Sequence, residues 1–233
     1  MTLGKKKKAI LTAAVFAGLI FMVGGNTMAH AATPVTELAQ ASQMKRSTIT
    51  PLTNDSRVFK LDKDIETAKV TFDNRYGYTV AGHLYLPKNF DAHKQYPAVV
   101  ISGPFGAVKE QVSGLYAQEL AKQGFVTVAF DPSMTGESSG TRRNMGSPDI
   151  FTEDFSAAVD FVSNLKFVNP GEIGALGICG LSGMALTAAA NDTRIKAVAT
   201  SAMYDMSESI SDHYKGAYYT PEQRQIVKHH LAK

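Results

Sequence analysis

The sequence predicts an α/β protein: a mostly parallel sheet with helices on both faces and an antiparallel hairpin at one edge. Three observations carry that prediction. Pro97–Ser102 (PAVVIS) is a short, continuously apolar run and Phe125–Phe130 (FVTVAF) is a second, the pattern of buried strands, and Ile173–Ile178 (IGALGI) and Ile195–Ser201 (IKAVATS) follow as further strands. Between these runs lie segments with helical apolar spacing, which makes βαβ units and hence parallel pairing. Ahead of them, Val70–Phe72 and Thr79–Leu86 alternate around Asn74-Arg75-Tyr76-Gly77, as a hairpin does.

The elements follow in chain order. Lys5–Lys8 form a basic start, Ala9–Gly25 is almost wholly apolar, and Ala29-His30-Ala31 offers small residues for cleavage before Ala32. That is the arrangement of a signal peptide over 1–31, and it predicts a secreted or periplasmic protein. As a helix, Ala9–Gly24 would reach about 24 Å, short of the roughly 30 Å of hydrocarbon a retained anchor must cross. The expected membrane contact is therefore through this segment alone, if it is left uncleaved. Residues 32–56 are polar and rich in Thr, Ser and Gln, a tether or surface arm.

After the hairpin and the strand at Pro97–Ser102, Val108, Val112, Leu115, Tyr116 and Leu120 recur at helical spacing, and Gly124 closes that helix. Ser147 is an N-cap with Pro148 at the first helical position, and Phe151, Phe155, Ala158, Val159 and Val162 give the next helix its apolar face. Asn169-Pro170-Gly171 is a turn, and Gly180–Ala190 is a small-residue helix able to lie close to a sheet. Thr220-Pro221-Glu222-Gln223 opens a last helix with a capping box.

Composition bounds the function. The 233 residues are 44% hydrophobic and 19% charged, enough apolar material for one packed domain plus a targeting segment. A single Cys excludes a disulfide framework and a Cys-rich zinc site. The net charge of +3 turns to −1 without the four leading lysines, which argues against a nucleic-acid partner. No His/Asp/Glu cluster has the sequence spacing of a metal site, and neither G-x-G-x-x-G nor G-x-x-x-x-G-K-[ST] occurs. No cofactor is expected.

The chemistry concentrates at Gly177-Ile178-Cys179-Gly180-Leu181-Ser182-Gly183. A nucleophile elbow is a sharp strand-to-helix turn with small residues around the reactive side chain, and the helix start adds a backbone N–H and a positive dipole end that suit an oxyanion. Cys179 is the first residue past the strand; Ser182 is the alternative nucleophile, one turn into the helix. Leu181 stands where the second elbow glycine would be and threatens to crowd the helix against the strand. A buried, inert thiol and glycines used only for close packing are the plainer readings of the same residues.

Four segments, Asn74-Arg75-Tyr76-Gly77, Gly103–Gln111 (GPFGAVKEQ), Ala129–Ser138 (AFDPSMTGES) and Gly177–Gly183 (GICGLSG), stand in an order that resembles bacterial α/β-hydrolases of the dienelactone-hydrolase-like group. The resemblance covers roughly Lys69 to Lys233. It implies an α/β-hydrolase fold and an esterase- or lactonase-like activity served by a Cys or Ser nucleophile, an acid and a His. It places Cys179 at the nucleophile. The oxyanion hole of that fold combines the N–H after the nucleophile, here Gly180, with one from the loop after the third strand. Pro104 has no N–H, which leaves Phe105, although Gly103–Gly106 serves equally as a tight turn.

Residues 57–233 then correspond to a partial hydrolase domain that lacks the last strands, with the start of a cap helix at 220–233. The family's acid and His have no counterpart in position, and Asp205 and His213 are the substitutes offered by chain order. Asp131 and Glu137 are expected to pin a loop, His83 and His93 to lie at the surface, and His229 and His230 on the cap helix. The expected function is an exported hydrolase of ester, thioester or lactone bonds in a small-molecule acyl substrate. The alternative is a truncated, catalytically inactive remnant or binding scaffold.

Overall fold

The computed structural model describes residues 46–203, 205, 206 and 220–231. The expected signal segment and most of the arm lie outside the described residues. The strands are β1 (Ser47–Pro51), β2 (Glu66–Asp73), β3 (Thr79–Leu86), β4 (Tyr96–Ser102), β5 (Val126–Phe130), β6 (Val168–Ile178) and β7 (Ile195–Ser201); the helices are α1 (Val112–Lys122), α2 (Pro148–Ser163), α3 (Ser182–Asn191) and α4 (Pro221–Leu231). The described strands form one sheet in the order β1-β2-β3-β5-β4-β6-β7. β5, β4, β6 and β7 are parallel, whereas β1, β2 and β3 are antiparallel and join the rest through an antiparallel β3–β5 pair. The sheet is therefore mixed, with the hairpin at one edge as the alternation predicts.

Alternate residues of the central strands serve opposite faces, the period of two that a doubly covered sheet needs. Val100, Val128 and Leu84 point into a large cluster with Phe155 and Phe161 of α2 and Ala185 and Ala188 of α3. Their neighbours Ile101, Ala129 and Tyr85 point into a smaller cluster with Ala117 and Ala121 of α1. Aromatic contacts knit the larger one, with Phe72 stacked on Phe161 at 5.3 Å and Phe130 edge-on to Phe155 at 5.1 Å. Ser147 caps α2 by accepting from the Ile150 N–H, with Pro148 at the first helical position. At α4, the Thr220 N–H donates to Gln223 Oε1 and the Gln223 N–H to Thr220 Oγ1, a closed capping box.

Three readings of the sequence need correction. The polar arm contributes β1, paired with β2 from Ser47↔Phe72 to Pro51↔Ala68. Ile49 alone in that strand is buried, and one inward residue makes no periodic signal. The Asn169–Gly171 turn lies inside β6, where the register against β4 slips between Tyr96 and Ala98; the Gly171 N–H still donates to Asn169 Oδ1, a turn absorbed as an irregularity in the strand. Val108 precedes α1, because its N–H donates to the Gln111 side chain and the next residue's N–H to Asp131. No described helix is long and apolar enough to cross a membrane.

Candidate active site

β6 ends in extended backbone at Ile178, and the chain turns at Cys179 with φ +56° into a 3-10 turn, Cys179–Leu181, that runs straight into α3. A side-chain-bearing residue in this left-handed region costs on the order of 1–3 kcal/mol and persists only where its surroundings fix it. Gly177 shows what fixes it. A β-carbon there would lie 2.6 Å from Ser182 Cα and 2.8 Å from Ala185 Cβ, so only glycine lets α3 press directly on β6. The Ser182 hydroxyl donates to the Gly177 carbonyl at 2.9 Å. Ser182 is buried and spent on that bond, which removes it as the alternative nucleophile. Leu181 causes no crowding, since its side chain packs into the larger core cluster. Cys179 itself is half-buried rather than sealed in.

The loop after β4 passes hard against this turn. A β-carbon at Gly103 (φ +110°) would meet the Ile178 carbonyl oxygen at 2.2 Å, so glycine is required for the approach. Two residues on, Phe105 reaches Gly180: a β-carbon on Gly180 would stand 2.9 Å from both Phe105 Cβ and Met206 Sδ. The N–H groups of Cys179 and Gly180 precede the first hydrogen bond of the 3-10 turn and take no part in it. Among the described residues the Phe105 N–H makes no backbone hydrogen bond. The fold thus brings Gly180 and Phe105, the residues expected to form the oxyanion hole, close to one another at the Cys179 turn.

A cleft of about 450 Å³ opens from Gly180 and runs between the first turns of α2 and α3, past Asp149, Met184, Met203, Asp205 and Met206. Asp205 lies just beyond β7 on the wall of this cleft, within the same cavity as Gly180. His213 falls outside the described residues. His93 and His229 are exposed, and the side chain of His230 lies outside the described residues.

Behind the loop sits a buried ionic cluster that the sequence did not announce. Lys109 is 0% exposed; its ammonium contacts Glu110 at 2.7 Å, Asp131 at 2.9 Å and Glu137 at 2.7 Å. Asp131 also accepts from the Lys109 and Glu137 backbone N–H groups, so Asp131 and Glu137 do pin the loop. Burial opposes the charge on Lys109, but its carboxylate partners win and hold it protonated. Hydrogen bonding from Lys109, ahead of that from Lys69, pulls Glu137 down to about 2.

His83, expected at the surface, is 2% exposed on β3, because β3 lies between β2 and β5 and not at an edge. Burial first, then the Lys109 charge, lowers its pKa to about 4. The sequence showed no metal spacing, yet folding gathers His83, Glu110 and Glu137 within 4.8 Å. The Lys109 ammonium already stands on both of those glutamates, so the cluster comes with its own cation. The Lys-Glu-Gln run was the one local hint of it.

This architecture is that of an α/β hydrolase, and comparison gives the family. The chain belongs to the X-Pro dipeptidyl-peptidase (S15) family, whose model matches residues 77–231. It is 52% identical over 221 residues to protein PA2218 of Pseudomonas aeruginosa, covering 94% of this chain and 58% of that protein. The crystal structure of PA2218 superposes with a TM-score of 0.74, covering 79% of this chain and 57% of that one. The thiohydrolase aneE of Aspergillus aculeatus is 32% identical over 131 residues, which are 56% of this chain and 40% of its own. An α/β hydrolase, GrgF from Penicillium, matches at 25% identity and a TM-score of 0.61, over 72% of this chain and 53% of that one. The chain thus covers between 40% and 58% of the length of these relatives.

Proposed function

We propose that this chain is a cysteine-dependent hydrolase of acyl thioesters and esters, lactones included, exported by residues 1–31. The observation that carries the reading is the left-handed Cys179 at the strand-to-helix turn, held there by Gly177 and faced by the Phe105 loop. Cys179 Sγ attacks the acyl carbon and the carbonyl electron pair moves to oxygen, where the Gly180 and Phe105 N–H groups receive it. The C–S or C–O bond to the leaving group breaks, and that group departs with a proton. Water then attacks the acyl-enzyme, releasing the carboxylic acid and restoring the thiol. In this reading Asp205 is the acid and His213 the base that carries the proton, with Asp205 already on the wall of the cleft. A thiohydrolase among the relatives supports thioesters as the first substrates to try.

The test is release of free thiol from short and medium-chain acyl thioesters. The expected result is turnover that falls by more than about a thousandfold in Cys179→Ala. Equal rates in the two proteins, or no turnover by either, would overturn the reading.

A further inference from the structure

Phe105 carries a side chain that the core does not claim. Its ring is 42% exposed, and among the described residues it belongs to neither apolar cluster. Yet two glycines from different parts of the chain stay bare around it. A β-carbon on Gly146 would have three Phe105 ring atoms as its nearest neighbours, Cζ first at 2.6 Å and then Cε2 at 2.8 Å. Gly146 does not hold a left-handed φ, so its backbone has no need of glycine and the ring alone asks for one. At the other end of the same side chain, a β-carbon on Gly180 would stand 2.9 Å from Phe105 Cβ.

The slot that receives the ring is built on fixed parts. Gly146 immediately precedes Ser147, the N-cap of α2. In the first turns of that helix Phe151 is buried within the larger core cluster, and its ring lies 6.2 Å from that of Phe105, tilted by 50°. The loop leading to Gly146 is pinned from within. The Arg143 guanidinium donates to the Ser138 and Gly136 carbonyls, and the Asn144 N–H donates to the Met134 carbonyl. The Phe105 side chain is thus stopped at its ring by Gly146, beside Phe151, and at its β-carbon by Gly180. A side chain held at both ends holds its own backbone in place. Placement matters at such a donor, because it acts on charge that forms only in the transition state.

We infer that the Phe105 ring, seated in the slot made by Gly146 and Phe151, is what positions the Phe105 N–H at the oxyanion hole. Gly146 is then a positioning residue that acts through the ring. The inference rests on Cys179 as the nucleophile, and its test separates the two and needs no turnover. The probe is hexyl trifluoromethyl ketone. Cys179 Sγ forms a C–S bond to the ketone carbon, the thiol proton passes to solvent, and the carbonyl π pair becomes the oxyanion of a hemithioketal. Fluorine NMR follows the ionisation of that adduct against pH and so reads the oxyanion hole directly.

Phe105→Ala keeps the donor N–H and removes only the ring. This variant and Gly146→Val are each expected to raise the pH of half-ionisation by about one unit, a tenfold weaker hold on the oxyanion. On a thioester, kcat should fall about tenfold in each while KM moves less than about twofold, the mark of an interaction made in the transition state. Phe105→Leu, which fills the slot in part, should recover part of the loss. Added to Phe105→Ala, Gly146→Val should cost less than about twofold more, because its side chain then has no ring to displace. Urea unfolding checks that each variant folds, and if Gly146→Val does not, Phe105→Ala decides alone. An adduct that ionises at the same pH in Phe105→Ala as in the parent would overturn the positioning role and leave Cys179 as the nucleophile. So would a Gly146→Val loss as large without the ring as with it. A parent chain that forms no adduct on Cys179 would overturn the nucleophile and the positioning role together.

Discussion

At the scale of single residues, the site is made by what four positions lack. Gly103, Gly177 and Gly180 permit contacts that any β-carbon would block, and Gly183 leaves space that a side chain would fill. Cys179 is the exception, a full side chain held at φ +56°. This strain has a measurable signature. Cys179→Ala keeps the unfavourable backbone, whereas Cys179→Gly relieves it at the cost of a more flexible unfolded chain. The glycine variant should therefore be more stable than the alanine variant by about 1 kcal/mol, measured by urea unfolding. An alanine variant as stable as the glycine one would show that the turn is not strained. These residues were legible in the sequence because an elbow is local: a strand, a Gly-x-Cys-Gly turn and a helix start lie within a dozen positions.

At the scale of elements, the loop between β4 and α1 carries Phe105 to Gly180 at one end and hangs from the Lys109 cluster at the other. Lys109 is the cation for three carboxylates, and removing one partner of a buried pair strands the others. Lys109→Met is expected to cost about 3–5 kcal/mol, read as a lowered urea midpoint with an unchanged slope. A loss below 1 kcal/mol would mean that the cluster does not anchor the loop. In the sequence this loop is the segment Gly103–Gln111, which ends in Lys109-Glu110-Gln111 and gives no sign that Lys109 is buried. Asp131, 22 residues away, becomes its partner only once β4 and β5 lie side by side. β1 escaped for a related reason, since an edge strand with one buried residue looks like any polar linker.

At the scale of the whole molecule, topology decides which titrating groups are buried, and two of them oppose each other. His83 is held neutral, with a pKa of about 4 against 6.5, so the stability it contributes above pH 6.5 is lost as the pH falls towards 4. Asp154, on α2, is pushed up to about 6 by burial despite bonds from Asn74 and Ser133, so the fold gains stability as the pH falls from 6 towards 3.8. The shifts are comparable, and thermal midpoints should change little between pH 6.5 and 4.5. Below that, protonation of Glu137 on the way to about 2 removes its contribution and the midpoint falls. His83→Gln should expose the Asp154 slope, with stability rising as the pH drops from 6.5 to 4; a flat profile in that variant would contradict the assignment.

The sheet order that buries His83 was not legible, because the sequence marked a hairpin without saying that β3 would pair with β5. The class of the fold was legible, since strand runs alternating with amphipathic helices leave few other arrangements. The central claim is that Cys179 becomes acylated. Mixing the chain with an octanoyl thioester, quenching in acid and weighing the intact protein and its peptides tests it directly. The account predicts one octanoyl increment, on Cys179 and absent from Cys179→Ala. An increment that persists in that variant, or none at all, would contradict it.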